Sequence, residues 1–224
     1  MTRLSSKALL FDIDGTLTDT DALHLEAFNR IFGPRGHVFD HARFTNELQG
    51  FAMASIRARF LGDEPEERQF AIMEEKEATF RELATAGVPP MPGLMALLDL
   101  ADAAGVPYAA VTNAPRPNAE MMLKALGIAH RFKALIIGDE LPHGKPHPLP
   151  YQEGLRTLGA APEATLAFED SRAGVQSATA AGIATVGIRT SLGHDDMIAV
   201  GAVLTAKTFD DADLIALVKS RLDA

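Results

Sequence analysis

Short unbroken apolar runs alternate along the chain with stretches whose apolar residues recur at helical spacing. KALLFD (7–12), PYAAVTN (107–113), KALIIGD (133–139), TLAFED (165–170) and IATVGIR (183–189) predict buried strands, and AVLTA (202–206) is a weaker sixth. Between them, MPGLMALLDLADAAG, NAEMMLKALG and LPYQEGLRTLG carry helical periodicity and end in a glycine where each helix should stop. Strands that read continuously apolar, each followed by a helix, predict a parallel α/β sheet covered on both faces.

Residues 18 to 89 break that rhythm. DALHLEAFNRIF, ARFTNEL, MASIRARFL and EPEERQFAIMEEKEATFRELATA all carry helical patterns, and no convincing strand separates them. On the last, Phe70, Met73, Phe80 and Leu83 form a stripe that predicts helix–helix packing, with charges filling the other faces. Turn-rich GTLTDT and AGVPPMPG bound the segment. The expected organisation is a discontinuous core, 1–17 and 90–224, interrupted by an all-helical domain at 18–89, with hinges at 15–20 and 87–92.

The remaining bulk properties narrow the function. A chain of 224 residues, 47% of them hydrophobic, has ample material for a core with a smaller insert. A net charge of −9, with no basic stripe, argues against a nucleic-acid partner. An acidic protein can still take an anionic small molecule where a metal or a local cation reverses the field. Without cysteine there is no disulfide, thiolate chemistry or Cys-type metal site. No apolar stretch reaches the length of a membrane span, and the start of the chain has no signal-like run. The expectation is a cytoplasmic protein, monomeric or a weak dimer.

Candidate chemistry collects at the predicted strand ends, where ligands bind in parallel α/β sheets. The first strand ends in Asp12-Ile13-Asp14, the second in Thr112-Asn113, the third in Gly138-Asp139-Glu140 and the fourth in Glu169-Asp170; Lys145 follows the third in LPHGKPHPLP. Any one of these has a plainer explanation, since an aspartate after a strand is commonly a turn residue or a helix cap. Their coincidence is harder to assign to turns. Carboxylates from two strand ends suit Mg²⁺, a hard cation that takes oxygen ligands and leaves positions for phosphate.

FDIDGTLTDT, VTN, GKPHP and FEDSRAGVQSA resemble, in order and spacing, the four motifs of the haloacid dehalogenase superfamily. The long helical insert after the first motif resembles the C1 cap of its β-phosphoglucomutase and phosphoglycolate phosphatase-like branch. The resemblance implies a Rossmann-like doubly wound core with an inserted helical cap, and a Mg²⁺-dependent phosphatase acting on a small phosphorylated metabolite. It implies Asp12 as the nucleophile that forms an aspartyl-phosphate and Asp14 as general acid and base. Thr112 and the amide of Asn113 would hold phosphoryl oxygens, and Lys145 would neutralise charge on Asp12 and the phosphate. Asp12, Asp170 and the backbone carbonyl of Asp14 would bind Mg²⁺, with Glu169 orienting a metal-bound water.

Within that family, dehalogenases lack the second aspartate of the first motif, which Asp14 supplies here. Phosphonatases use a cap lysine as a Schiff-base amine; the only lysine between 18 and 89 is Lys76, in the acidic run EEKEA, where no depressed pKa is expected. Mutases of the branch carry Leu-Lys-Gly-x-x-Arg in the cap, whereas this chain reads Leu48-Gln49-Gly50-Phe51-Ala52-Met53, without either cation. His24 stands at the family's spacing after the first motif, as a coupler of cap closure or as a partly buried helical histidine. Substrate-facing candidates in the cap are His24, Phe51, Met53 and Arg57, with Arg59 a further possible cation. The expected activity is phosphate-ester hydrolysis, the alternatives being a sugar-phosphate mutase and a phosphate-binding protein without turnover.

Overall fold

Six strands form where the apolar runs lie: β1 (Ala8–Phe11), β2 (Tyr108–Thr112), β3 (Ala134–Ile137), β4 (Thr165–Glu169), β5 (Ala184–Ile188) and β6 (Leu204–Ala206). All pair in parallel, in the order β3-β2-β1-β4-β5-β6. This is the doubly wound α/β arrangement expected from the sequence. The order reverses at β1, which pairs with β2 on one side and β4 on the other, so the crevice of such a sheet opens at the carboxyl ends of β1 and β4. The computed structural model describes residues 7–49, 53–85 and 87–223. By contacts the chain divides into two units, Met1–Asp19 with Pro89–Ala224, and Thr20–Val88. Both divisions fall in the turn-rich segments 15–20 and 87–92. Met91 N donates to Leu17 O at 2.8 Å and Thr18 Oγ1 to Pro89 O at 2.7 Å.

The unit Thr20–Val88 contains α1 (Asp21–Phe32), α2 (His41–Glu47), α3 (Met53–Phe60) and α4 (Glu66–Ala84). Phe28, Phe32, Phe44, Ile56 and Ile72 are among the residues of its own core, and Met53 packs against them. The face of α4 differs from the expected stripe. Ile72, Met73, Lys76, Glu77, Phe80 and Ala84 are buried, while Phe70 is 49% exposed and lies under the Arg57 guanidinium at 3.9 Å. Lys76 therefore belongs to the interior and not to the charged outer face. At 1% exposure, its Nζ lies 3.0 Å from Glu77 Oε1, 2.9 Å from His24 Nδ1 and 4.4 Å from the centroid of Phe28. Burial of two charges on one helix face is tolerable because they pair with each other and the cation also faces an aromatic ring.

In the sheet unit, α5 (Leu94–Ala103), α6 (Arg116–Ala125), α7 (Leu149–Leu158), α8 (Arg172–Ala180), α9 (His194–Ala199) and α10 (Ala212–Asp223) accompany the strands. Alternation along each strand sorts the side chains between the two faces. Phe11 stacks on Phe168, ring centroids 4.7 Å apart, with Phe209 edge-on to both. On the other face Leu10, Val111 and Ala167 pack with Tyr151 and Leu155 of α7. Burial of each such large side chain contributes roughly 1.5–3 kcal/mol. Two residues beyond Leu10 and Ala167 come Asp12 and Glu169, so the alternation that builds this layer also aims both carboxylates over α7. Among the described residues no helix is long and apolar enough to cross a membrane.

Candidate active site

Asp12 follows β1 and continues its ladder, its N–H donating to Phe168 O at 3.0 Å. Its carboxylate is buried at the sheet rim, 7% exposed. Lys145 Nζ donates to Asp12 Oδ1 at 2.7 Å, to Val111 O at 2.7 Å and to Glu169 Oε1 at 2.5 Å, one acceptor for each ammonium hydrogen. Glu169 Oε1 takes a second donor, the Tyr151 hydroxyl, at 2.6 Å. Ser191 Oγ donates to Asp170 Oδ2 at 2.5 Å. Asp12, Glu169 and Asp170 are all buried, and each has a carboxylate oxygen within 4.8 Å of the others'.

The electrostatics follow from that crowding. Burial pushes the Asp12 carboxyl up to about 8, with Lys145 opposing and Glu169 and Asp14 adding to the rise. Burial pulls Lys145 downward, but Asp12 and Glu169 outweigh it and hold the ammonium above its ordinary value. Burial, then the charge of Glu169, keeps the Tyr151 hydroxyl well above its ordinary value and so a donor. One ammonium against a trio of buried carboxylates leaves negative charge uncompensated. An all-oxygen donor set of this kind fits a hard divalent cation.

Local sequence makes room for the cluster. Gly15 has φ +77°, and a Cβ there would fall on Asp170 Oδ2; its carbonyl accepts from Thr190 Oγ1 at 2.7 Å. Gly174, in the first turn of α8, lies where a Cβ would strike the Glu169 carboxylate, while Ser171 caps that helix by accepting from Gly174 N at 3.1 Å. Thr112, 2% exposed, accepts at Oγ1 from Ala114 N at 2.9 Å, which leaves its hydroxyl hydrogen to donate elsewhere. Asn113 grips the Lys145 backbone twice: Oδ1 accepts from Lys145 N at 3.0 Å and Nδ2 donates to Lys145 O at 3.1 Å.

Asp12, Lys145, Glu169 and Asp170 thus meet at one point, and Asp14 lies half-buried beside them. Glu140, also at a strand end, pairs instead with Arg116 at 2.6 Å on the surface. His24 and Arg57 lie in the helical unit. There His24 stacks on Phe80 with centroids 3.9 Å apart, besides its contact with Lys76, and Arg57 covers Phe70. Phe51 falls outside the described residues. Sequence reasoning missed Tyr151 and Ser191. Tyr151 passes as an apolar position of a helical stripe; its hydroxyl was the signal, uninformative until the sheet order brings Glu169 above α7.

Residues 6–182, which contain all of these groups except Thr190 and Ser191, match the haloacid dehalogenase-like hydrolase family. The chain belongs to that family. This hydrolase is 35% identical to the protein CbbY of Rhodobacter capsulatus over 80% of its own length and 84% of that protein. It is 31% identical to the phosphorylated carbohydrates phosphatase of Thermotoga maritima, covering 90% and 94% of the two chains. Among solved structures, CbbY from Rhodobacter sphaeroides in complex with phosphate matches with a TM-score of 0.83 at 30% identity, over 97% of this chain and 99% of that one.

Proposed function

We propose that this hydrolase is a Mg²⁺-dependent phosphatase that cleaves a small phosphorylated metabolite through an aspartyl-phosphate on Asp12. The observation that carries the proposal is the Lys145 ammonium, hydrogen-bonded at once to Asp12 and Glu169 beside Asp170. A sugar phosphate or a phosphoglycolate-like compound is the substrate class; the likeness to a phosphorylated carbohydrates phosphatase supports the former. Residues 18–89 would act as the cap that selects the leaving group, and 1–17 with 90–224 as the core that holds the phosphoryl group.

Asp12, Asp170 and the Asp14 carbonyl would hold Mg²⁺, with Glu169 behind them. Bound there, the ion supplies charge neutralisation and polarises a phosphoryl oxygen. Lys145 shields the Asp12 carboxylate from the dianion it must approach. Asp12 forms a bond to phosphorus while the ester P–O bond breaks, and Asp14 gives its proton to the departing oxygen. Asp14, now a carboxylate, takes a proton from water as that water attacks phosphorus and releases phosphate from Asp12. Thr112 donates its hydroxyl hydrogen to a phosphoryl oxygen, and the Asn113 grip keeps Lys145 in register.

Hydrolysis is favoured over phosphoryl mutation by the cap. Gln49 is neutral where the mutases have lysine, and its amide donates to both oxygens of Asp21 at 2.9 Å. Met53 packs into the helical core, and residues 50–52 lie outside the described chain. The test is phosphate release from a panel of phosphometabolites with Mg²⁺, the Asp12→Asn protein serving as control. Release abolished in the variant supports the proposal. Glucose 6-phosphate appearing faster than phosphate from β-glucose 1-phosphate with a bisphosphate primer would make the protein a mutase. No release from any ester would make it a binding protein.

A further inference from the structure

Tyr151 is the largest polar side chain in contact with this cluster that the mechanism leaves without a task. It is fully buried among Leu10, Val111 and Ala167, yet it carries a hydroxyl that an apolar layer does not need. That hydroxyl donates to Glu169 Oε1 at 2.6 Å, a short charge-assisted bond, and the ring face lies 5.3 Å from Lys145 Nζ. A chain of contacts results: hydroxyl to Glu169, Glu169 to Lys145 at 2.5 Å, Lys145 to Asp12 at 2.7 Å.

We infer that Tyr151 is a positioning residue, whose hydroxyl fixes the Glu169 carboxylate and keeps Lys145 shared with Asp12. Lys145 is the one cation seen between Asp12 and Glu169, and both compete for it. A buried carboxylate with no other donor on Oε1 would draw the ammonium toward itself and loosen the contact with the nucleophile. The Tyr151 hydroxyl meets part of that demand with a neutral donor, adding no charge to the site. It also restrains Glu169, whose carboxylate belongs to the candidate metal cluster. Partners one step behind a metal's carboxylates orient them, and their loss commonly weakens metal binding.

The inference rests on the proposed metal-dependent phosphatase. Its test is Tyr151→Phe, which keeps the ring beneath Lys145 and the packing against the sheet and deletes one oxygen. In the full-length protein, calorimetric titration with Mg²⁺ should give a dissociation constant about tenfold higher than wild type. Turnover at saturating Mg²⁺ should fall while KM for the phosphate ester stays near its wild-type value. Tyr151→Leu, which also removes the ring, should lose stability but show the same weakening of Mg²⁺ binding. Wild-type Mg²⁺ affinity and turnover in Tyr151→Phe, with losses only in Tyr151→Leu, would reduce Tyr151 to packing and overturn the inference. A wild-type protein that bound no Mg²⁺ would remove the metal reading of the site itself, which is a separate failure.

Discussion

As the proposed nucleophile, Asp12 acts as a carboxylate in a place that opposes its charge. Burial outweighs Lys145 and pushes its carboxyl up to about 8, which favours the protonated form near neutral pH when no metal is bound. This residue therefore separates activity from stability. Asp12→Asn removes the proposed nucleophile and one of the proposed metal ligands, and turnover should vanish. The same change preserves shape and has no proton to lose, whereas wild type loses stability from this group as pH rises from about 4 to 8, so the metal-free variant should already melt higher than wild type at pH 7 and keep that margin at pH 9. Melting curves at pH 7 and pH 9 without metal check this. A variant that melts well below wild type at pH 9 would mean that Asp12 is net stabilising as a carboxylate.

At the level of elements, α4 separates what the sequence could tell from what it could not. The strands were legible because each is a short apolar run between turn residues, and the site's aspartates and lysine were legible because each follows such a run. On α4 the apolar residues alone were compatible with a stripe through Phe70, and nothing local marks Lys76 and Glu77 as inward. Lys76 has its partners in His24, 52 positions away, and in the ring of Phe28, and Glu77 pairs with Lys76. Tyr151 and Ser191 escaped for the same reason, with partners 18 and 21 positions distant across the layers. The inward pair predicts strong non-additivity. Glu77→Leu leaves an ammonium in the helical core without the carboxylate 3.0 Å away, and breaking such a pair costs about 3–5 kcal/mol. Adding Lys76→Met should recover most of that loss in urea unfolding. Losses that simply add would mean that the two side chains do not depend on each other.

For the whole molecule, the reversal of strand order at β1 has a thermodynamic consequence. It brings Asp12 from β1 together with Glu169 and Asp170 from β4, so the proposed metal binding, proton binding and folding meet in one cluster that exists only in the folded chain. Burial raises the folded carboxyl of Asp12 from the ordinary value of 3.8 to about 8. Between those values the folded protein without metal holds a proton that the unfolded chain has lost, so this group's contribution to stability falls as pH rises and levels off above about 8. On the proposed reading Mg²⁺ displaces that proton, hence it should bind more weakly on the acid side of 8 and reach full affinity above it. Stabilisation by a ligand that binds only the folded state follows its affinity and is about 2.7 kcal/mol at a hundredfold excess over the dissociation constant. At fixed Mg²⁺, the gain in melting temperature over the metal-free protein should therefore be small at pH 6, larger at pH 7 and largest at pH 8 and above. Paired melts with Mg²⁺ and with a chelator across that range measure it. A gain that does not change between pH 6 and pH 8 would show that Asp12 gives up no proton when the ion binds.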